Sequence, residues 1–539
     1  MIQLSDNSVL RRQIRRLWIA ALLLPATLPA QSSPLAGIEH AWLSLRTLHD
    51  QLGITRDLGA GVSPRGIPRD SLLARLRRDS RLMAELIARA PQGLDSADRR
   101  ALAQMESALA TIQADLAGPP VERVLGDECL EAFPEAMVWA SLDSVTARTF
   151  ACYGEAARRV VVDRDTLDRL SVLGLLGRTG DPERRRRLFL ALGPIWRAVN
   201  GDDGSGSPYR SMARRRETRT AERAAALGVP ADSVEPWLVR VLEAWRATLP
   251  DTLIEPWDFH YLTGQASRDL SPRIPLDSLR PIAERFYRDL GADPAALGVH
   301  FDLVPRPGKY PISFANFGAR DPIEPWIFTS YRIGGLDNLA ELLHEVGHAV
   351  HIAAIRTRPA FTDWPDSDTY TEAIADLAAL ELYEPDWQRR YLGATTPLES
   401  SLRSKYAGIV LDVAWALFEI RAHREPERSP NRIWTELTRE YLRIRPHPDW
   451  SWWALRGQLV NSPGYMLNYA LGAILIADLR EALASRRGSP SGNRGWYEWV
   501  APRLYRQGLE VSAREVISRF LGRSVSPAAI LRDLARIRD

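Results

Sequence analysis

The chain has 539 residues, 45% of them hydrophobic and 25% charged, with a formal net charge of +3. That profile excludes disordered, collagen-like and coiled-coil classes and leaves room for a large buried core. Arg11, Arg12, Arg15 and Arg16 against Asp6 account for all of the +3 (four minus one), so the rest is near neutral and gives no support to nucleic-acid binding.

Residues 1–30 read as an export signal. The four arginines precede Leu17-Trp18-Ile19-Ala20-Ala21-Leu22-Leu23-Leu24, and small residues follow up to Ala30. The apolar run is shorter than the ~20 residues that span a bilayer, and Pro25 and Pro29 break a continuing helix. An uncleaved membrane anchor is the competing reading. No later stretch is apolar for long enough to cross a membrane. The expectation is a periplasmic or secreted protein whose mature form makes no membrane contact. Cys129 and Cys152, the only cysteines, either form a disulfide or remain two buried thiols.

Amphipathic periodicity predicts helices within 36–118, ending at Gly118-Pro119-Pro120, and again near 163–177, 182–192, 214–227, 233–249 and 276–290. Residues 309–331 differ. Ile312 to Phe317 and Trp326 to Tyr331 are aromatic and β-branched and flank a Gly/Asp/Pro-rich stretch from Gly318 to Pro325, which predicts a hairpin. Helices return from Leu336 onward, including 402–422, 431–442, 466–484 and 527–538. Ser526 reads as the N-cap of the last, with Pro527 at its first helical position.

The segment His344-Glu345-Val346-Gly347-His348, on a predicted helix over Asn338–Ala354, is an HExxH sequence. Residues i and i+4 share one helix face, so both imidazoles can reach one ion, and zinc takes such nitrogens at ~2.0–2.1 Å. Glu345 lies ~100° round the helix from His344, beside the metal, where it suits a general base acting on water. HExxH alone is a modest signal. Its context supplies more. Glu372, on a second predicted helix, is placed to be the third ligand, and Asp376, one turn on, to accept the outer N–H of a ligating histidine. The competing reading, a solvated acidic face, is opposed by the apolar continuation through Leu377, Ala378 and Leu380. His351 is read as a packing or pocket residue.

The stretch Leu343 to His351 resembles the zinc helix of thimet and oligoendopeptidase-type oligopeptidases, and Glu372 to Asp376 resembles angiotensin-converting enzyme and its bacterial peptidyl-dipeptidase relatives. Both are gluzincin metallopeptidases. Pro463-Gly464-Tyr465-Met466-Leu467-Asn468-Tyr469, running into Arg480-Glu481-Ala482-Leu483, is similar to both. The resemblance implies a mainly α, two-lobed body with a deep central channel and a short β-hairpin beside the zinc helix. It implies a lobe over about 31–250 and a zinc-bearing lobe over about 251–539. It further implies one Zn2+ per chain and short peptide substrates. By the same resemblance Tyr469 stabilises the transition state and Tyr465 lies on the substrate side, although two core tyrosines are the plainer alternative. No histidine fills the expected window at Leu459 to Ser462, so His447 is the nearest candidate. Arg456 is the nearest cation for a substrate C-terminus. Phe314 and Ala315, on the hairpin, would offer a strand edge to an extended peptide. The expected activity is peptidyl-dipeptidase or oligopeptidase hydrolysis, with an inactive peptide-binding protein of the same fold as the alternative.

Overall fold

The computed structural model describes residues 33–117, 141–306, 309 and 312–538. The predicted export segment and Cys129 lie outside them. Cys152 is disulfide-bonded.

Three helices open the described chain: α1 (Ala36–Asp57), α2 (Arg69–Ala88) and α3 (Ser96–Ala117). Trp42, Leu45 and Leu48 recur at helical spacing on α1 and meet Leu72, Leu76 and Met83 of α2 and Met105, Leu109 and Ile112 of α3 in a core of their own. Ion pairs tie this unit to the rest. Arg358 reaches Glu39 at 2.6 Å and Asp98 at 2.5 Å, and buried Arg320 reaches Asp50 at 2.7 Å.

Next comes α4 (Leu142–Arg158), capped by Ser141, which accepts the Ser144 N–H. The predicted helix over 163–177 begins six residues late. Val160–Val162 (β1) and Asp165–Leu167 (β2) pair as a small antiparallel hairpin, turned by Asp163 at φ +55°. Only after Asp168, whose carboxylate accepts the Ser171 N–H, does α5 (Arg169–Arg178) start. The predicted helix over 214–227 shrinks to Thr220–Ala226. Arg216 turns inward onto the Val460 carbonyl, and the Thr218 backbone abuts Gly464, which holds the preceding residues out of helix.

The hairpin predicted within 309–331 is present with a shorter turn. Phe314–Arg320 (β4) and Ile323–Phe328 (β5) pair antiparallel, with a register shift between Phe317 and Ala319, and only Asp321-Pro322 joins them. A third strand, His300–Asp302 (β3), lies parallel to β5 on its other side, so β4 is an edge strand. Helix α1 covers part of that edge. Gln51 donates to the Gly318 carbonyl at 2.6 Å, and Thr47 accepts the Arg320 N–H at 3.1 Å. Among the described residues nothing pairs with the outer edge of Phe314 to Asn316.

The remaining framework is helical: α6 (Leu336–Ala354), α7 (Asp368–Ala379), α8 (Leu398–Arg424), α9 (Met466–Arg487) and α10 (Ala528–Ala535). The last starts one residue later than predicted, because Pro527 is itself the N-cap while Ser526 accepts the Ala528 N–H at 3.2 Å. One large core runs from Val145 to Ile537, and residues on both sides of position 250 share it. The chain is thus mainly α with small sheets. Among the described residues no helix is long and apolar enough to cross a membrane.

Candidate metal centre

Helix α6 is buried nearly all round from Leu342 to Ala354. Leu339, Leu342, Leu343, Val346 and Val350 are fully buried, so its polar residues are held in a desolvated position. Helix α7 packs against it. Ser367 caps α7 by accepting the Tyr370 N–H at 3.3 Å, which places Glu372 and Asp376 one turn apart toward α6.

His344, His348 and Glu372 converge, with one donor atom from each lying within 4.8 Å of the others. His344 Nε2 stands 3.4 Å and His348 Nε2 3.9 Å from the same Glu372 oxygen. Zinc bonds of ~2.0–2.1 Å at tetrahedral angles put ligand atoms roughly 3.4 Å apart, so the set fits that ion. His344 Nδ1 lies 2.8 Å from Asp376 Oδ1. An acceptor there keeps the proton on Nδ1 and leaves the Nε2 lone pair for a metal. His348 Nδ1 and Glu345 Oε2 are buried without hydrogen-bond partners, consistent with a site that has further groups to bind.

The electrostatics agree. Burial alone would lower the His344 pKa, but the carboxylates of Asp376, Glu372 and Glu345 raise it well above its ordinary value, so the site calls for positive charge. Burial, with the charge of His344, pushes His348 down to about 3, which keeps it neutral as a ligand must be. Burial pushes the Glu372 carboxyl upward, but His344, His348 and the Tyr465 hydroxyl outweigh it and hold the carboxyl below its usual value. Glu345 is driven up to about 8, first by burial and also by Glu341, Glu372 and Asp376, against the lowering pull of His344. A dication beside it would oppose that rise.

The two tyrosines stand at the start of α9. The Tyr465 hydroxyl donates to Glu372 Oε1 at 3.1 Å, so it braces a ligand. The Tyr469 ring is 5.5 Å from that of Tyr465. Burial and Glu372 hold both phenols protonated, as neutral donors. Gln458, just before the window expected to hold a histidine, and Arg456 pull the Tyr469 phenol pKa down against that rise without overcoming it.

The other predicted site residues sit as follows. Phe314 stacks on Phe328 at 4.9 Å and Ala315 pairs with Ile327, both on β4. That strand is joined to the zinc-motif helix through a cluster of Phe317, Ile352 and Ile355. His447 lies 2.8 Å from Glu255 and stacks on Trp450 at 3.9 Å; no contact among the described residues links it to the cluster. Arg456 is neutralised by Asp412 and lies over Trp415 at 4.8 Å and Tyr469 at 5.9 Å. His351 is fully buried between Trp364 and Tyr505, a packing position. Trp364, which also abuts His348 at 5.6 Å, carried no sequence signal because a loop brings it there.

The fold has a solved counterpart. The M32 carboxypeptidase from Deinococcus radiodurans R1 superposes with a TM-score of 0.51 at 15% identity, covering 94% of this chain and 98% of that one. At that identity the likeness establishes the fold. No protein-family profile and no curated protein matches the sequence.

Proposed function

We propose that this chain is a zinc-dependent peptidase acting on short peptides. The convergence of His344, His348 and Glu372, with Asp376 on the outer nitrogen of His344 and Glu345 buried alongside, carries the reading. The solved carboxypeptidase of the same fold supports it. His344, His348 and Glu372 would hold the ion, which when bound supplies Lewis-acid polarisation and an acidified water.

The protein's own groups do the rest. Glu345 takes a proton on a carboxylate oxygen and returns it to the leaving amine. Tyr469 donates its phenol proton in a hydrogen bond to the carbonyl oxygen as that oxygen gains charge. Phe314 to Asn316, at the uncovered part of the β4 edge, would hold an extended peptide by its backbone. Retention of Glu345 argues against an inactive peptide-binding protein, which has no use for a buried carboxylate there. Removal of one C-terminal residue, release of dipeptides and internal cleavage give different products.

The test is a peptide-library digest read by mass spectrometry, with metal analysis of the same sample. One zinc per chain and turnover that vanishes in Glu345→Gln, with zinc retained, is the expected result. Turnover in Glu345→Gln, or no metal in active protein, would overturn the proposal.

A further inference from the structure

Helix α6 carries three histidines on one face. His344, His348 and His351 stand at i, i+4 and i+7, so His348 lies between the other two. His344 has a partner on each side of its ring. Its Nε2 faces Glu372 at 3.4 Å and its Nδ1 faces Asp376 at 2.8 Å. His348 has a partner on one side only. Its Nε2 faces Glu372 at 3.9 Å, and its Nδ1 is buried with no hydrogen-bond partner among the described residues. A histidine that ligates a metal almost always donates its other N–H to an acceptor, which fixes the tautomer and the ring. Among the described residues no carboxylate or carbonyl does this for His348.

His351 is the next residue along the same face. It is fully buried, and neither of its ring nitrogens has a hydrogen-bond partner among the described residues. Residues three apart on a helix have Cβ atoms about 5–6 Å apart. Both rings also meet one indole, Trp364, which lies 5.6 Å from His348 and 5.7 Å from His351. Packing alone does not account for an imidazole here. A phenyl ring would fill the space between Trp364 and Tyr505 with no polar atom to desolvate, whereas each buried nitrogen left unpaired carries its full desolvation cost.

The two rings are complementary in protons. With Nε2 as a ligand, His348 must carry its proton on Nδ1, and a neutral His351 always has one acceptor nitrogen. They make no direct hydrogen bond with each other. Water is the ordinary partner of buried polar groups that lack a protein one, and it can accept from the first ring while donating to the second.

We propose that His351 is a positioning residue for His348: a buried water accepts the Nδ1–H of His348 and donates to a ring nitrogen of His351. The inference rests on the peptidase reading above. His351 touches neither the ion nor the substrate. It holds His348 in the Nδ1–H tautomer, so that the Nε2 lone pair stays on the side of Glu372, as Asp376 does for His344. The two ligating histidines then have unlike outer partners. Asp376 brings a negative charge to His344, whereas His351 orients His348 and adds no charge to the site.

The test is the zinc affinity of the full-length protein, measured by competition with a chelator. His351→Phe keeps an aromatic ring between Trp364 and Tyr505 and removes both nitrogens. It should weaken zinc by about 10–100-fold, the usual worth of an outer partner. His351→Gln and His351→Asn place an amide oxygen near the Nε2 and the Nδ1 position respectively, and one of them should recover part of the loss. A His351→Phe protein that holds zinc as tightly as wild type would overturn the proposal and return His351 to packing. A second measurement needs no variant. A crystal structure of the zinc-loaded wild type should show an ordered water within hydrogen-bond reach of both rings. A His348 Nδ1 bonded instead to a backbone carbonyl, or no water between the rings, would overturn the proposal. Wild-type protein that binds no zinc fails the peptidase reading and this inference with it. Active, zinc-bound wild type whose affinity His351→Phe matches fails this inference alone.

Discussion

A β-carbon on Gly347 would stand 2.1 Å from the carbonyl oxygen of Ala375. Helices α6 and α7 therefore touch backbone to backbone between the histidine pair and Glu372. The glycine sits in the middle of a helix, where alanine is intrinsically better by roughly 1 kcal/mol. The contact reverses that preference. Gly347→Ala should separate the helices, lower stability by about 1–3 kcal/mol as overpacking does, and reduce zinc occupancy. Melting curves and metal analysis read both effects. A variant that is as stable as wild type and holds full zinc would contradict the role given to this contact.

Asp376 should act through His344. Its carboxylate lies on Nδ1, away from the Nε2 that faces Glu372, so its loss leaves His344, His348 and Glu372 in place. Outer partners of this kind are typically worth about 10–100-fold in metal affinity or activity. Asp376→Ala should weaken zinc by that order, measured by competition with a chelator, whereas Glu372→Ala should weaken it further because a ligand itself is gone. Equal effects of the two would mean that Asp376 also binds the ion.

The two tyrosines should separate. Tyr465 donates to Glu372, and Tyr469 has no bond to a ligand residue among the described contacts. Tyr465→Phe should therefore lower zinc affinity, and excess zinc should restore most of its activity. Tyr469→Phe should keep its zinc and lose about 10²–10³ in kcat with little change in KM, the usual consequence of removing one oxyanion donor. Wild-type kcat in Tyr469→Phe would make that residue a packing group.

The convergence of His344, His348 and Glu372 was legible in the sequence because its geometry is local. His344 with His348, and Glu372 with Asp376, are each set by one turn of helix, and only the meeting of α6 with α7 had to be supplied. Strand β3 was legible but overlooked, since Val299 to Leu303 alternates apolar and polar residues as a half-buried strand does. The hairpin turn was overextended because Gly318 and Pro325 read as turn residues while both sit within strands. The fate of Arg456 was not legible. Its charge is visible in the sequence, but Asp412, which neutralises it, comes from another helix.

Glu419 links the tyrosine helix to pH. It is buried on α8 and accepts the Gly464 N–H at 2.7 Å, immediately before α9 begins. Gly464 has φ +76°, and a β-carbon there would meet the Thr218 carbonyl at 2.0 Å, so the backbone that donates to Glu419 is packed directly on another segment. Burial raises the Glu419 pKa from 4.5 to about 8, against the lowering pull of the Gly464 and Met466 amides and of Arg223 and Arg216. The folded chain thus keeps a proton that the unfolded chain gives up near 4.5. Stability from this group is fully present below 4.5. It falls by up to about 1.4 kcal/mol per pH unit until the folded group ionises near 8, above which the loss is complete. Glu419→Gln keeps an acceptor oxygen for Gly464 and removes the titration. The melting temperature of wild type relative to Glu419→Gln should therefore decline steadily from pH 5 to pH 8 and level off beyond it. A difference that is flat across that range would show that Glu419 is ionised in the folded protein at pH 5.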